Sequence, residues 1–507
     1  MKNILLICLA LIHIHFAQGQ VIQYEKVFNY DYFSFGEAII QLPGEGYIVG
    51  GAIIDTLSIS KSNLFLMRTD KFGDTIWSKH YDIGNLPLNW GNTIKKINMQ
   101  PNGDIIVFGI ADFTVIMLKT DSLGNIKWIK NYSRYSRNLI GDVYFASDNS
   151  FVLGMESDSA LFTGTSKRVV MKIDTSGTIL WKNYFSRDSV LIRGITEINN
   201  SYYVLLQDHS SLSNGLDIVQ ISSNGYYLNS FKWDFNNYPS QPKLIKKDNI
   251  YLSVVCSFTN ASNGNLLLFK SDTLGNIFWN KSFTNVGLNG NSSPKMVETN
   301  DSGFAIVTEL SGCVNPYIIS LIKTDDLGDT LWTKAYGIGD ENHPGDLIQS
   351  ADSGYVIVGN YGDPLGMIKT SSLGNSGCNY YCPNIIIDTT SISLITNSYI
   401  TYNDTIYSSV LSGIIYSGIY ENVICASVGL EEFKNDTSTL VIYPNPTSTT
   451  LIVKLNRNES ITISNLLGEV LQKQTFAKGT INLDISFLST GIYLLNAGNE
   501  VRKFVKE

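Results

Sequence analysis

The sequence predicts an all-β chain, a seven-bladed β-propeller of four-stranded blades followed by a small C-terminal β-sandwich, and three observations carry that expectation. The pattern Asp-x-x-Gly-x-x-x-Trp recurs at Asp70/Gly73/Trp77, Asp121/Gly124/Trp128, Asp174/Gly177/Trp181, Asp272/Gly275/Trp279 and Asp325/Gly328/Trp332. Two degenerate copies, Ser222/Gly225 with Asn229 at the Trp position and Ser371/Gly374 with Cys378 there, bring the units to seven. From Gly73 to Gly374 the Gly-to-Gly spacings are 51, 53, 48, 50, 53 and 46 residues, near the roughly 40 to 50 residues of a four-stranded propeller blade.

Each unit reads as four strands rich in β-branched and aromatic residues, for example Glu37 to Leu42, Tyr47 to Ile53, Asn63 to Thr69 and Asp74 to Tyr81. The Asp-x-x-Gly element suits a type I turn: Asp at the first position accepts local backbone bonds, and Gly at the fourth takes a positive φ without a Cβ clash. The Trp four residues later falls on the next strand. There a large ring can fill the gap between stacked sheets, stabilising it by roughly 1.5 to 3 kcal/mol. These Asp, Gly and Trp residues are read as a blade framework.

The seventh unit has no good fourth strand of its own, while Tyr24-Glu25-Lys26-Val27-Phe28 matches the fourth-strand pattern Trp77-Ser78-Lys79-His80-Tyr81. Residues 21–30 are therefore expected to complete the last blade and remove a free sheet edge. Turns between strands one and two and between three and four are short and share one face. The longer connections between strands two and three and between blades share the other, where variable loops on a rigid scaffold would carry recognition. Trp90 and Trp233 lie outside the repeat position, and both are expected near that face as aromatic ligand contacts.

At the N-terminus, Lys2, the apolar run Ile4 to Phe16 and Ala17-Gln18-Gly19 follow the order of a secretory signal peptide, residues 1–19. The run is too short to span a bilayer and no comparable run follows, so no transmembrane segment is expected. The propeller then occupies residues 20–378, a Ser/Thr-rich β connector 379–436, and the final domain 437–507. Formal net charge is −8 with no Lys/Arg block, which argues against nucleic acid as a partner. Cys256, Cys313, Cys378, Cys382 and Cys425 remain after signal removal. An odd number leaves at least one thiol free, and a bridge from Cys425 to Cys378 or Cys382 is expected.

The histidines that remain, His80, His209 and His343, are scattered over different units, and no metal site or cofactor is expected. No nucleophile elbow, zincin motif or phosphate-binding Gly loop occurs. Asp340 with Glu341 lies on the long-loop face, so a polysaccharide-active hydrolase or lyase stays open as an alternative. A surface structural or adhesive protein without a discrete pocket is the other. A module binding a carbohydrate or a surface protein is favoured.

The Asp-x-x-Gly-x-x-x-Trp rhythm resembles the repeats of quinoprotein propellers, where a similar Trp docks one blade on the next. Those enzymes are usually eight-bladed with adjacent cysteines, and this chain has seven units and no Cys-Cys pair. The repeat region is similar overall to repeat ectodomains of secreted Bacteroidota proteins. The tail is more specific. Tyr443-Pro444-Asn445-Pro446, then Ile463 to Val470 with Gly468, then Leu488 to Leu495 with Gly491 and Tyr493, then Lys503 to Glu507, occur in the order of the type A C-terminal sorting domain of the type IX secretion system (Por secretion tail). That resemblance implies passage through the periplasm, recognition of residues 437–507 by the type IX translocon, and release to the medium or the cell surface.

Overall fold

The computed structural model describes residues 22–506 except 30–32, 45, 56–60, 84–91, 134–136, 159–165, 186–189, 209–214, 259–263, 289–292, 311–317, 338–341, 378–385, 389–391, 397–400, 403–406, 412–413, 417–419, 429–440, 444–446, 456–457, 466–469 and 498–499. Every regular element among the described residues is a strand. No helix there is long and apolar enough to cross a membrane. The signal-peptide expectation, Trp90, His209, Asp340, Glu341, Cys313, Cys378, Cys382, Pro444, Asn445, Pro446 and Gly468 lie outside the described residues, as does the side chain of Cys425 and with it the expected disulfide. Cys256 is a buried free thiol.

Residues 22–428 belong to one compact unit, built from seven antiparallel sheets with an outer strand added to six of them. The first sheet runs Phe33–Gln41, Tyr47–Asp55, Lys61–Thr69 and Thr75–Asp82 in chain order. The next five repeat this up-and-down order. The seventh takes Asn342–Gln349, Tyr355–Tyr361 and Leu365–Lys369, and its fourth place is filled by the N-terminal strand Ile22–Asn29, with Tyr24 opposite Lys369 and Phe28 opposite Leu365.

The hairpin between third and fourth strands is set by the repeated turn. The Asp325 carboxylate accepts the N–H of Leu327 at 3.0 Å and of Asp329 at 2.8 Å, and Asp70, Asp121, Asp174 and Asp272 do the same in their own turns. In the degenerate turns the hydroxyls of Ser222 and Ser371 accept instead. Gly328 has φ +80°, a conformation that costs other residues a Cβ clash, and a Cβ there would also lie 2.6 Å from the Trp279 ring.

That second contact explains the Trp. Trp77, Trp181, Trp279 and Trp332 each cover the turn glycine of the next sheet, at Gly124, Gly225, Gly328 and Gly374. Tyr24 of the N-terminal strand covers Gly73 in the same way.

At the seam of Trp128 the turn glycine is covered by other side chains. The atoms nearest a Cβ on Gly177, the turn glycine of the next sheet, belong to the Lys130 stem at 2.6 Å and the Tyr132 hydroxyl at 2.9 Å, where four other seams place an indole. The physical reason is competition from the lysine two residues on, whose apolar stem can cover the glycine while its charged head stays in reach of solvent. The Lys130 ammonium then stands 5.5 Å from the centroid of the Trp128 ring, a cation–π contact. Trp128 itself is half-buried and packs against the core shared by the second and third sheets, filling space between them.

Four residues beyond the Trp position a second donor ties the seam: the hydroxyls of Tyr81, Tyr132 and Tyr336 donate to the carbonyls of Gly124, Gly177 and Gly374 at 2.8, 2.8 and 2.6 Å. Consecutive sheets thereby share apolar cores, first with second, second with third, and onward. The last core joins Tyr24, Phe28, Val358 and Met367 of the seventh sheet to Ile39, Val49, Phe65 and Met67 of the first. The succession of sheets closes on itself, which is a β-propeller.

A repeated ion pair was not singled out from the sequence. A lysine two residues before the turn Asp or Ser reaches the Asp of the first turn in its own sheet: Lys119–Asp104 at 3.3 Å, Lys172–Asp148 at 2.6 Å, Lys323–Asp301 at 2.9 Å and Lys369–Asp352 at 2.7 Å. Burial pushes the Asp352 carboxyl up, but hydrogen bonds from Lys369 and Ser350 outweigh it and hold it below the usual range.

Residues 386–428 form an outer belt. Ile386–Asp388 pairs with the outermost strand of the fifth sheet, Ile392–Thr396 with the fourth, Thr401–Tyr402 with the third, Tyr407–Leu411 with the second, and Ile414–Tyr416 with the first. Tyr420–Val428 then pairs with Ile22–Asn29, Ile22 opposite Val428 and Asn29 opposite Tyr420. The belt visits the sheets in reverse order, and the N-terminal strand is held between two ladders.

Residues 430–507 are a second compact unit. It has a three-stranded sheet of Val441–Tyr443, Thr450–Leu455 and Gly479–Asp484, and a four-stranded sheet of Val470–Phe476, Glu459–Asn465, Gly491–Ala497 and Glu500–Lys506. Alternating apolar residues from both sheets, Leu451, Val453, Ile461, Ile463, Leu483, Leu495 and Phe504 among them, meet in one core.

Candidate functional site

Register shifts recur at two places in the sheets. Six fourth strands carry one against the third strand, just before the Trp position, and six of the seven first strands carry one against the second, leaving Glu37, Lys95, Gly141, Arg193, Gln241 with Pro242, and Gly345 as the extra residues. Such a bulge bends the strand and re-aims its side chains. The bend also brings neighbouring first strands into close approach: a Cβ on Gly345 would lie 1.8 Å from the carbonyl oxygen of Gly36.

The extra residues of the first strands converge. All of them line a cavity of about 620 Å³ to which the first strands of all seven sheets contribute, so it lies where the sheets meet. That volume is in the range of small-molecule sites, roughly 300 to 1,000 Å³. Apolar walls come from residues such as Ile39, Ile195 and Leu244. Charged groups are set between them.

The carboxylates are already engaged. Asp142 accepts the N–H of Ile195 at 2.8 Å, and Asp346 accepts those of Ile39 at 3.1 Å and Leu347 at 2.9 Å, each tying one first strand to another or to itself. Glu37 pairs with Lys95 at 2.5 Å. Glu298 pairs with Lys247 at 3.0 Å. On the cationic side, Arg193 donates through Nε to Gln207 at 2.7 Å, and Lys295 donates to the Ser293 hydroxyl at 3.3 Å. Lys295 keeps partial solvent contact, yet desolvation pushes its ammonium down to about 8. Lys243 and Lys95 add repulsion, which Glu37 and Asp346 oppose.

Trp233, expected as an exposed ligand contact, requires correction. It is 0% exposed. It sits on the fourth strand of its sheet four residues past Asn229, where other sheets place the seam tyrosine, and its indole N–H donates to the Gly275 carbonyl at 2.9 Å. Phe231 and Phe269 pack edge-on against it at centroid distances of 5.1 and 4.9 Å. Its signal was the offset from the degenerate repeat.

The remaining expected histidines stand apart. His80 is pushed down to about 4 by burial, and His343 Nδ1 lies 2.8 Å from Glu309 in the seventh and sixth sheets. No cluster of metal-ligating side chains occurs among the described residues.

In the C-terminal unit, Tyr493 is buried, stacks on Phe504 at 5.7 Å and donates to the Ser489 carbonyl at 2.8 Å. Gly491 opens its strand, while Tyr443 and Lys503 are exposed.

Comparison with known proteins bears mainly on this tail. A sequence search of curated proteins gave no match. Among solved structures the chain is similar to Drosophila Plexin A in complex with Semaphorin 1b, at 7% identity and TM-score 0.40, covering 69% of this chain and 87% of that one. It is also similar to the Nup133 β-propeller domain of Vanderwaltozyma polyspora, at 10% identity and TM-score 0.38, covering 65% and 99%. A member of the duf4221 family from Bacteroides vulgatus gives 8% identity, TM-score 0.34 and coverage of 73% and 98%. Residues 441–507 match the family described as the secretion system C-terminal sorting domain. With the residues of the tail and its two-sheet core already in hand, this chain is a β-propeller region carrying a type IX secretion system C-terminal sorting domain.

Proposed function

We propose that the chain is a secreted or cell-surface binding module, a seven-bladed propeller that takes a carbohydrate or protein ligand and is exported by the β-sandwich tail at 437–507 after a signal peptide at 1–19 is removed. Residues 21–30 close the last blade and 379–436 serve as the β connector. The observation that carries the binding reading is the cavity where bulged residues of six first strands converge. A scaffold needed only for packing would have no use for unlike charged groups at that position. The long-loop face remains the expected approach for a larger ligand, and fold alone does not fix the ligand.

Two measurements test it. Truncation after Asn435 should remove the protein from the medium and cell-surface pools while leaving it in the periplasm; unchanged export would sink the sorting assignment. A glycan and envelope-protein binding screen on the full chain should return a ligand that competes with occupancy of the cavity.

A surface adhesive role is the second reading, favoured by one observation. Leu123, Leu274, Leu327 and Leu373 occupy the same position, just before the turn glycine, and are 54 to 64% exposed. Self-association abolished by changing these leucines to Ser, with no ligand found for the cavity, would move the weight there.

A further inference from the structure

The lining of the cavity has the opposite charge balance from the chain. Overall the protein has 37 Lys and Arg against 45 Asp and Glu. The cavity lining has six cations, Lys95, Lys96, Arg193, Lys243, Lys246 and Lys295, against the four carboxylates Glu37, Asp142, Glu298 and Asp346.

The carboxylates offset this only in part: Glu37 and Asp346 act favourably on Lys295, and the lining keeps an excess of two cations. Asp142 and Asp346 are held by backbone N–H groups, and Glu298 faces Lys247, which is not among the lining residues. Among the described residues only Glu37 forms an ion pair with a lining cation, Lys95. Lys96, Lys243, Lys246 and Lys295 make no ion pair among the described residues.

These groups come from different sheets and feel one another. Lys295 of the sixth sheet interacts electrostatically with Lys243 of the fifth, Lys95 of the second, Glu37 of the first and Asp346 of the seventh. Groups about 50 residues apart in the chain therefore share one space. Like charges gathered between low-dielectric walls focus the field and raise the local concentration of counter-ions. The repulsion is relieved when an anion enters.

We propose that the cavity is an oxyanion site, taking the carboxylate of an acidic sugar or a phosphate group between Lys243 and Lys295, with Lys95 and Arg193 at its edge. This rests on the binding-module reading and names the chemistry of its ligand. Apolar wall residues beside the cations suit a sugar ring attached to the charged group. Neutral sugars gain none of the electrostatic term.

Calorimetric titration of the full chain at pH 8 with galacturonate, galactose and inorganic phosphate tests this. Galacturonate should bind at least ten-fold more tightly than galactose, and raising salt from 0.05 to 0.5 M, a range in which the Debye length falls from about 14 Å to about 4 Å, should weaken it several-fold. Binding of phosphate as well would assign a general oxyanion site, and binding of galacturonate alone would assign the acidic sugar. Because the anion favours protonated Lys295, wild-type binding should take up protons, seen as a dependence of the heat on the buffer's ionisation enthalpy. Lys295→Met should abolish that uptake and lower affinity ten-fold or more. Lys243→Met provides a second variant should the first fail to fold. Equal binding of galactose and galacturonate would overturn the oxyanion proposal and leave the binding module standing. Failure of both anions to bind would also overturn it, and a neutral ligand found in the wider screen would then separate that outcome from failure of the binding reading itself.

Discussion

At the hairpin rim, Trp77, Trp181, Trp279 and Trp332 each meet the turn glycine of the following sheet. On the inner side, the equivalent bulge position is filled in turn by Glu37, Lys95, Gly141, Arg193, Gln241 with Pro242, and Gly345. The rim uses Trp at four of the seven seams because a similar sheet-to-sheet gap must be filled at each. The inner position repeats its backbone while changing its chemistry. Identity of residue across sheets therefore marks packing, and variation at a shared backbone feature marks the place where a ligand would be distinguished.

The comparison can be broken most severely at the closing seam. Deleting Ile22–Asn29 removes Tyr24 from Gly73 and strips both Leu365–Lys369 and Tyr420–Val428 of a partner. The protein should lose its cooperative thermal transition or melt about 5 °C or more lower, since Tm moves by about 2 to 4 °C per kcal/mol in domains of 150–250 residues, less in larger ones, and the loss here is several kcal/mol. An unchanged melt would show that the clasp contributes no stability.

A smaller change sharpens the contrast between rim and axis. Gly328→Ala puts a Cβ at positive φ and against Trp279, and should cost about 2 to 4 kcal/mol. Lys96→Met on the inner side should cost within about 0.5 kcal/mol, because Lys96 is exposed and without an ion pair among the described residues. Denaturant unfolding of the two variants compares them directly. Equal losses would erase the distinction drawn between the two positions.

The smallest effect is a titration. Glu25 of the closing strand is buried, and desolvation raises its carboxyl above the ordinary value despite hydrogen bonds from Ser376 at 2.5 Å, from Tyr361 and from the Gly337 backbone. A carboxyl with a raised native pKa favours folding fully only below its unfolded value, about 4.3, and that advantage is lost as pH rises through the native value. Glu25→Gln has no such titration. Its melting temperature relative to the parent should therefore rise between pH 4 and pH 8; a difference flat across that range would show that Glu25 is not held in an unfavourable charged state.

Much of the fold was legible in residues that must repeat. Asp, Gly and Trp at fixed offsets located the turns and seams, and Tyr24 to Phe28 declared the closing strand through its likeness to Trp77 to Tyr81. Spacing did not say which side chain covers each turn glycine: Lys130 and Tyr132 stand over Gly177, Tyr24 over Gly73 and Phe231 over Gly275. The β connector expected at 379–436 gave no sign of which strands it would pair with, because an added edge strand is held by backbone hydrogen bonds that any residue can make. The bulges were hidden for a related reason: a one-residue shift in register is set by pairing between strands and has no residue signature when filled by Glu, Lys, Gly or Arg. Trp233 was misread because its sheet lacks the Trp at position 229, so the indole four residues later fell outside the repeat as written. The lining cations come one or two at a time from four of the sheets and gain meaning only when the sheets are brought around a common axis.

The reversed path of residues 386–428 also bears on when this protein can finish folding. Its strands pair with segments made between about 100 and 400 residues earlier, the last of them joining Tyr420–Val428 to Ile22–Asn29. Pairings so distant in sequence close slowly, and none of the belt can form until about three-quarters of the chain has been made. The first strand made waits as an edge for the last strand of the ring to reach it, so the fully bound structure is reached late.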